Sequence, residues 1–170
     1  MRKRLIEYIV HLHARGVDKG VIYRAILRKT NHDYAKRLLK DAGLPLTVAD
    51  LMHQGDALPV VTRSASMDEI VITATQKKLG AVLVADGKKL LGIITDGDLR
   101  RSLQKKEKFF SLKAEDVMTR DPVSIQATAM AQEALELMEN RPSQISVLPV
   151  VDRQGSLAGL IRLHDLVRSF

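Results

Sequence analysis

Apolar positions recur along this chain in two rhythms. Over residues 4 to 15 the rhythm is helical, with Leu5, Ile6, Ile9, Val10 and Leu12 forming one apolar side. Gly16 interrupts it. Asp18 is placed to cap a second helix running to about Leu27, with Val21, Ile22, Ala25 and Ile26 on one face. Asn31 or His32 opens a third, with Tyr34, Leu38 and Leu39 turned inward, and Gly43 and Pro45 close it. From there on, short apolar runs take over. Ala81-Val82-Leu83-Val84 and Leu90 to Ile94 flank Asp86-Gly87, and Leu148 to Val151 and Leu157 to Ile161 flank Asp152 to Gly155. These are strand pairs joined by turns that favour positive φ. Because the strands are apolar throughout rather than alternating, they should be covered on both faces.

The second half of this pattern repeats the first with a period of about 65 residues. Asp50-Leu51-Met52 returns as Asp116-Val117-Met118, and Pro59-Val60 as Pro122-Val123. Gly92-Ile93-Ile94 returns as Gly159-Leu160-Ile161, and Asp98-Leu99 as Asp165-Leu166. Between these landmarks each copy carries an amphipathic helix. Met67, Ile70, Val71 and Ala74 line the first, with Ser66 and Glu69 as its capping box, or Ser64 as the cap instead; Ala131, Ala134, Leu135 and Met138 line the second. A last helix starts near Asp98 and again near Asp165. Each copy therefore reads as β-α-β-β-α, beginning with the extended pieces Pro59 to Val61 and Pro122 to Ile125. One such copy is too small to bury its strands well. Two packed sheet against sheet solve that problem, so the predicted fold is α/β (α+β), two repeats related by a pseudo-twofold. The division is residues 1–43 helical, 44–106 first repeat and 112–170 second repeat.

Composition agrees with a packed, non-membrane chain. Of its 170 residues 45% are apolar and 28% charged, and no apolar run approaches the ~18 residues of a membrane span. The absence of cysteine excludes disulfides, thiolate metal sites and thiol nucleophiles, and fits a cytoplasmic setting. The net charge of +7 is unevenly placed: residues 1–43 hold eleven Lys/Arg against four Asp/Glu, and the remainder holds sixteen of each. Any attraction to an acidic partner resides in the first segment.

At Gly92-Ile93-Ile94-Thr95-Asp96-Gly97-Asp98 the chain resembles the signature of CBS domains: glycine, two apolar residues, Ser/Thr, two variable residues, aspartate. Members of that family hold adenosine nucleotides in clefts between paired repeats. The resemblance implies Thr95 on phosphate, Asp98 on ribose and Gly92 as a point of close ligand approach. Leu51 to Pro59, Thr95 to Arg101, Asp116 to Thr119 and His164 to Leu166 are similar, more narrowly, to the C-terminal regulatory half of bacterial arabinose-5-phosphate isomerases. That similarity covers about residues 48 to 170 and leaves out the sugar-isomerase domain, so the expectation is a regulatory module and not an enzyme. The second repeat departs from the signature: Arg162 stands where Thr95 stands, within Gly159-Leu160-Ile161-Arg162-Leu163-His164-Asp165. Asp165 can still hold a ribose, and Arg162 and His164 suit a phosphate or a sugar-acid carboxylate. The two sites should therefore differ, with ligand mainly at Thr95 and Asp98. The expected ligand is an adenosine or cytidine nucleotide or a nucleotide-sugar such as CMP-Kdo, with no cofactor required and a homodimer as the assembly.

Plainer readings stand beside these. Asp98 and Asp165 could simply cap the helices they open, and Thr95 could be an ordinary strand end. Arg100-Arg101 reads better as a solvated helix face than as a phosphate clamp. His11 and His13, two apart on a helix, point away from each other and cannot share a metal. Gly87-Lys88-Lys89 lacks the preceding glycine of a P-loop. Three short basic helices also suggest DNA, but no recognition-helix pattern is visible and charge alone carries no sequence information, so a packing or dimerising arm is the preferred reading of residues 1–43.

Overall fold

The computed structural model describes residues 2–167; the last three residues of the second repeat, 168–170, lie outside it. Three helices lead: α1 (Arg2–Ala14), α2 (Lys19–Leu27) and α3 (His32–Asp41). Asp18 caps α2 by accepting from the Val21 N–H, and Asn31 caps α3 by accepting from the Tyr34 N–H. The buried faces differ in detail from the sequence pattern. α2 turns Ile22 and Tyr23 inward and leaves Val21 and Ala25 exposed; Val10 of α1 and Tyr34 of α3 are exposed as well, whereas Ala35, Leu38 and Leu39 are fully buried.

The first repeat follows the short helix α4 (Val48–Leu51). It comprises β1 (Val60–Val61), α5 (Met67–Lys77), β2 (Ala81–Asp86), β3 (Lys89–Thr95) and α6 (Asp96–Ser102). A 3-10 stretch, Leu103–Ser111, leads to α7 (Ala114–Val117) and β4 (Thr119–Arg120). The second repeat is β5 (Ile125–Gln126), α8 (Ala131–Glu139), β6 (Val147–Val151), β7 (Leu157–Arg162) and α9 (Leu163–Val167). Ser66 caps α5, accepting from the Glu69 N–H. Two sheets result, in the orders β1-β2-β3-β4 and β5-β6-β7, each with a parallel first pair and an antiparallel hairpin. The first hairpin turns at Gly87-Lys88, with Gly87 at φ 56° and Asp86 still in the ladder.

Strand pairing corrects one element of the repeat. Val61 lies opposite Val84 and Ile125 opposite Val150, the residues that pair with Gly92 and Gly159, so the counterpart of Pro59 is Val123 and not Pro122. Pro122 lies in the stretch between β4 and β5. The last helices also begin earlier than expected: α6 starts at Asp96 and α9 at Leu163, with Asp98 and Asp165 as their third residues.

Three apolar clusters hold the molecule. β2 is buried from Ala81 to Ala85, as a strand covered on both faces must be. Val82 and Val84 face Met67 and Ile70 of α5, while Ala81 and Leu83 face the other sheet, where Val147 and Leu160 meet them. The third cluster joins the leading helices to the second repeat: Ile9, Ile22, Tyr23, Leu38 and Leu39 share one core with Ala134, Met138, Leu148 and Leu166. Lys36 of α3 also donates to the carbonyl of Leu166. Among the described residues, only the 3-10 stretch, through Phe109, packs on the corresponding helices of the first repeat in this way. Val71, Ile72, Leu103 and Phe110 remain exposed, Val71 against the sequence expectation.

Candidate functional site

Each repeat receives the lead-in of the other. α4, which precedes the first repeat, donates from Val48 and Ala49 to the carbonyls of Ala129 and Ala127, and His53 pairs with Leu160 of β7. Correspondingly, α7 donates from Ala114 and Glu115 to Ala65 and Arg63, and β4 pairs with β3. The exchange lays Met118 across Gly92 and Met52 across Gly159. A Cβ at Gly92 would lie 2.6 Å from the Met118 sulfur and 2.9 Å from the Thr119 carbonyl; at Gly159 it would lie 2.5 Å from the Met52 sulfur and 2.8 Å from the His53 carbonyl. The two signature glycines are thus explained by close packing of chain on chain.

Beyond Gly92 the strand ends at Thr95, which is the N-cap of α6. Its hydroxyl accepts from the Asp98 N–H, and the Asp98 carboxylate accepts in return from the Thr95 N–H at 2.8 Å and the Thr95 hydroxyl at 2.6 Å. Asp98 closes a capping box rather than standing at the cap. Its Oδ1 accepts from Arg101, one helical turn on. Thr95, Asp98 and Arg101 line one side of a cleft of about 300 Å³. Thr119, Pro122 and Val123 of the connecting segment, with Ile145, Val147 and Pro149 of the second repeat, supply much of the rest. Arg101, read from sequence as a solvated face, therefore belongs to the site; the signal was its place three residues after Asp98. Arg100 instead borders an apolar groove elsewhere.

The second repeat brings Arg162 and Asp165 together in the same frame. Arg162 donates through Nε at 2.9 Å and Nη2 at 2.7 Å, and through its backbone N–H at 3.1 Å. His53 Nε2 lies 3.0 Å from Asp165 Oδ2. Burial alone would raise the Asp165 carboxyl, but the Arg162 hydrogen bond and the charges of His53 and Arg162 outweigh it and hold the group below the usual Asp range. Arg162 is raised in turn, chiefly by that hydrogen bond. His164 does not join them. It is exposed and makes no hydrogen bond or ion pair among the described residues; His53, 112 positions from Asp165, takes that place. Among the described residues no group of three His, Cys, Asp or Glu could hold a metal ion, and no helix is long and apolar enough to cross a membrane.

Two small sheets exchanging lead-ins, with a Thr/Asp-edged cleft between them, define a CBS pair. The CBS-domain family profile matches residues 47–105 and 114–170, and the chain belongs to that family. It is similar to the arabinose 5-phosphate isomerase KdsD of Francisella tularensis, 39% identical over 126 residues, and to that of Escherichia coli, 37% identical over 127. Each match covers 74% of this chain and only 38% of the relative, its CBS region. Among solved structures, CBSX2 from Arabidopsis thaliana in complex with AMP aligns with a TM-score of 0.62 at 29% identity, over 72% of this chain and 93% of that one. The acetoin utilization protein AcuB from Vibrio cholerae aligns with a TM-score of 0.64 at 26% identity, over 73% and 89%.

Proposed function

We propose that this chain is a ligand sensor that binds a nucleotide in the Thr95–Asp98–Arg101 cleft and so biases the arrangement of its two repeats. The observation that carries this reading is the cleft itself: its polar edge comes from the first repeat and its apolar wall from the second. A ligand there touches both, which is what differential affinity for two arrangements requires. Asp98 keeps acceptor capacity on Oδ1 for ribose hydroxyls. The Thr95 hydroxyl already donates to Asp98, so the phosphate falls to Arg101, whose side chain is 71% exposed and free to swing. The AMP bound to CBSX2 makes AMP the first nucleotide to try. CMP-Kdo, an end product on the isomerase relatives' pathway, is the finer candidate.

The division into 1–43, 44–106 and 112–170 accompanies this reading, with the first part acting as a packing arm in a cytoplasmic regulator. Burial of Ile22, Leu38 and Leu39 in the core of the second repeat supports the arm over a DNA-binding unit. The assembly is a homodimer through the bare helical face of the first repeat. A groove of about 690 Å³ there is floored by Val71, Ile72, Leu103 and Phe110 and edged by Asp68 and Arg100. Those two charges have no ion-pair partner among the described residues, and a twofold axis sets each against its opposite on the second copy. Sedimentation of the native chain as a dimer, and of Phe110→Glu as a monomer, is the expected result; a native monomer refutes the pairing.

Thermal unfolding against AMP, ATP, CMP, CMP-Kdo and sugar phosphates tests the sensor reading. A ligand at 100 times its dissociation constant adds about 2.7 kcal/mol of stability. That gain should vanish in the Thr95→Ala/Asp98→Ala double variant. Retention of the full gain by that variant refutes the site.

A further inference from the structure

The two repeats build the same cradle and fill it differently. In both, a lead-in methionine covers a strand glycine, and a carboxylate three residues beyond the strand end turns back onto it. Asp98 receives three donors: the Thr95 N–H, the Thr95 hydroxyl and Arg101. The third comes from a side chain that is 71% exposed and reaches back from the helix. Asp165 receives four: Arg162 Nε, Arg162 Nη2, the Arg162 N–H and, in its protonated tautomer, His53 Nε2. A carboxylate offers about four lone-pair sites. Three of these donors converge on Oδ2 and the fourth, Arg162 Nη2, takes Oδ1, so the guanidinium grips both oxygens, and the side chains that do so are held in place: Arg162 is 25% exposed and His53 29%.

We infer that Arg162 is a built-in occupant of the position beside Asp165 that corresponds to the nucleotide cleft beside Asp98. Its guanidinium grips both oxygens of Asp165 and, with His53, stands where ribose hydroxyls would have to reach the carboxylate, so each chain binds one nucleotide and not two. This rests on the sensor reading for the first cleft, but concerns the second repeat. A nucleotide entering there has to displace a charge-assisted, two-pronged pair whose carboxylate would otherwise be left part-buried beside it. Threonine at position 162 would restore the capping box already present at Thr95 and leave the carboxylate partly open, as Asp98 is.

Equilibrium dialysis and calorimetry with AMP test this on the full chain. Native protein should bind one AMP per chain, the Thr95→Ala/Asp98→Ala variant none, and Arg162→Thr two. Combining Arg162→Thr with the double variant should return the count to one. Arg162→Ala is the second route to an open cleft should Arg162→Thr fail to fold. Two AMP per native chain, or one per chain in both folded Arg162 variants when the native chain also binds one, overturns the closure. If native protein binds none but Arg162→Thr binds one, the closure stands and the first-cleft reading falls. No binding by native or variant protein overturns both.

Discussion

The two repeats share a backbone plan and differ in what their side chains do with it. In the first, a threonine caps the helix and a movable arginine reaches the aspartate from solvent. In the second, an arginine occupies the threonine's position and spends itself on the aspartate. The outer faces are unequal too. Three leading helices share a core with the second repeat, while the first repeat shows Ile72, Leu103 and Phe110 to solvent. A duplicated fold fixes where the strands and helices go. The copies differ at a few positions, and the first repeat is the one with a cleft beside its aspartate and a bare helical face.

The largest effect expected from this inequality lies in the leading helices. Leu38 is fully buried in the core of the second repeat. Leu38→Ala should destabilise the whole chain by about 2–5 kcal/mol in denaturant unfolding, through lost burial and an unfilled cavity. Ile72→Ala, on the bare face, should change the monomer by less than about 0.5 kcal/mol. A loss at Leu38→Ala as small as that expected at Ile72→Ala would mean that the leading helices are not part of that core.

Gly92→Ala and Gly159→Ala probe what the copies share. Each added methyl meets a methionine and a backbone carbonyl. Both variants should lose about 1–3 kcal/mol, and by similar amounts, because the carbonyl gives way far less than the flexible thioether. A variant that loses nothing would break the equivalence of the two lead-ins.

Acid sensitivity probes what they do not share, with a smaller effect. The Asp165 carboxyl sits below its usual range when folded. Its contribution to stability is therefore complete above the unfolded value of about 3.9 and is lost as pH falls through the folded one. Asp165→Asn should flatten the stability profile below about pH 4. An unchanged profile would remove the Arg162–Asp165 pair from any energetic role.

Much of this was legible in the chain. The caps Asp18, Asn31 and Ser66, the hairpin strands and the Thr95–Asp98 signature all announce themselves through local residues. What escaped needed pairing or distance. Val21 and Tyr23 flank Ile22 on either side, so the apolar pattern of α2 allows two faces, and only packing selects Tyr23. Pro59 and Pro122 match as letters, but the ladder sets the register and separates them. Arg101 joins the cleft because α6 begins at Asp96, a boundary the pattern left two residues later. The pairing of His53 with Asp165 spans 112 residues and comes from the exchange of lead-ins, which no local spacing encodes.

On the proposed reading, ligand enters beside Asp98 and is refused beside Asp165. Backbone amide NMR of the full chain titrated with AMP tests it most directly. Shifts are expected at Thr95, Asp98 and Thr119, with Arg162 and Asp165 silent until Arg162 is replaced by threonine. Shifts at Arg162 and Asp165 in the native chain, matching or exceeding those at Thr95 and Asp98, would contradict it.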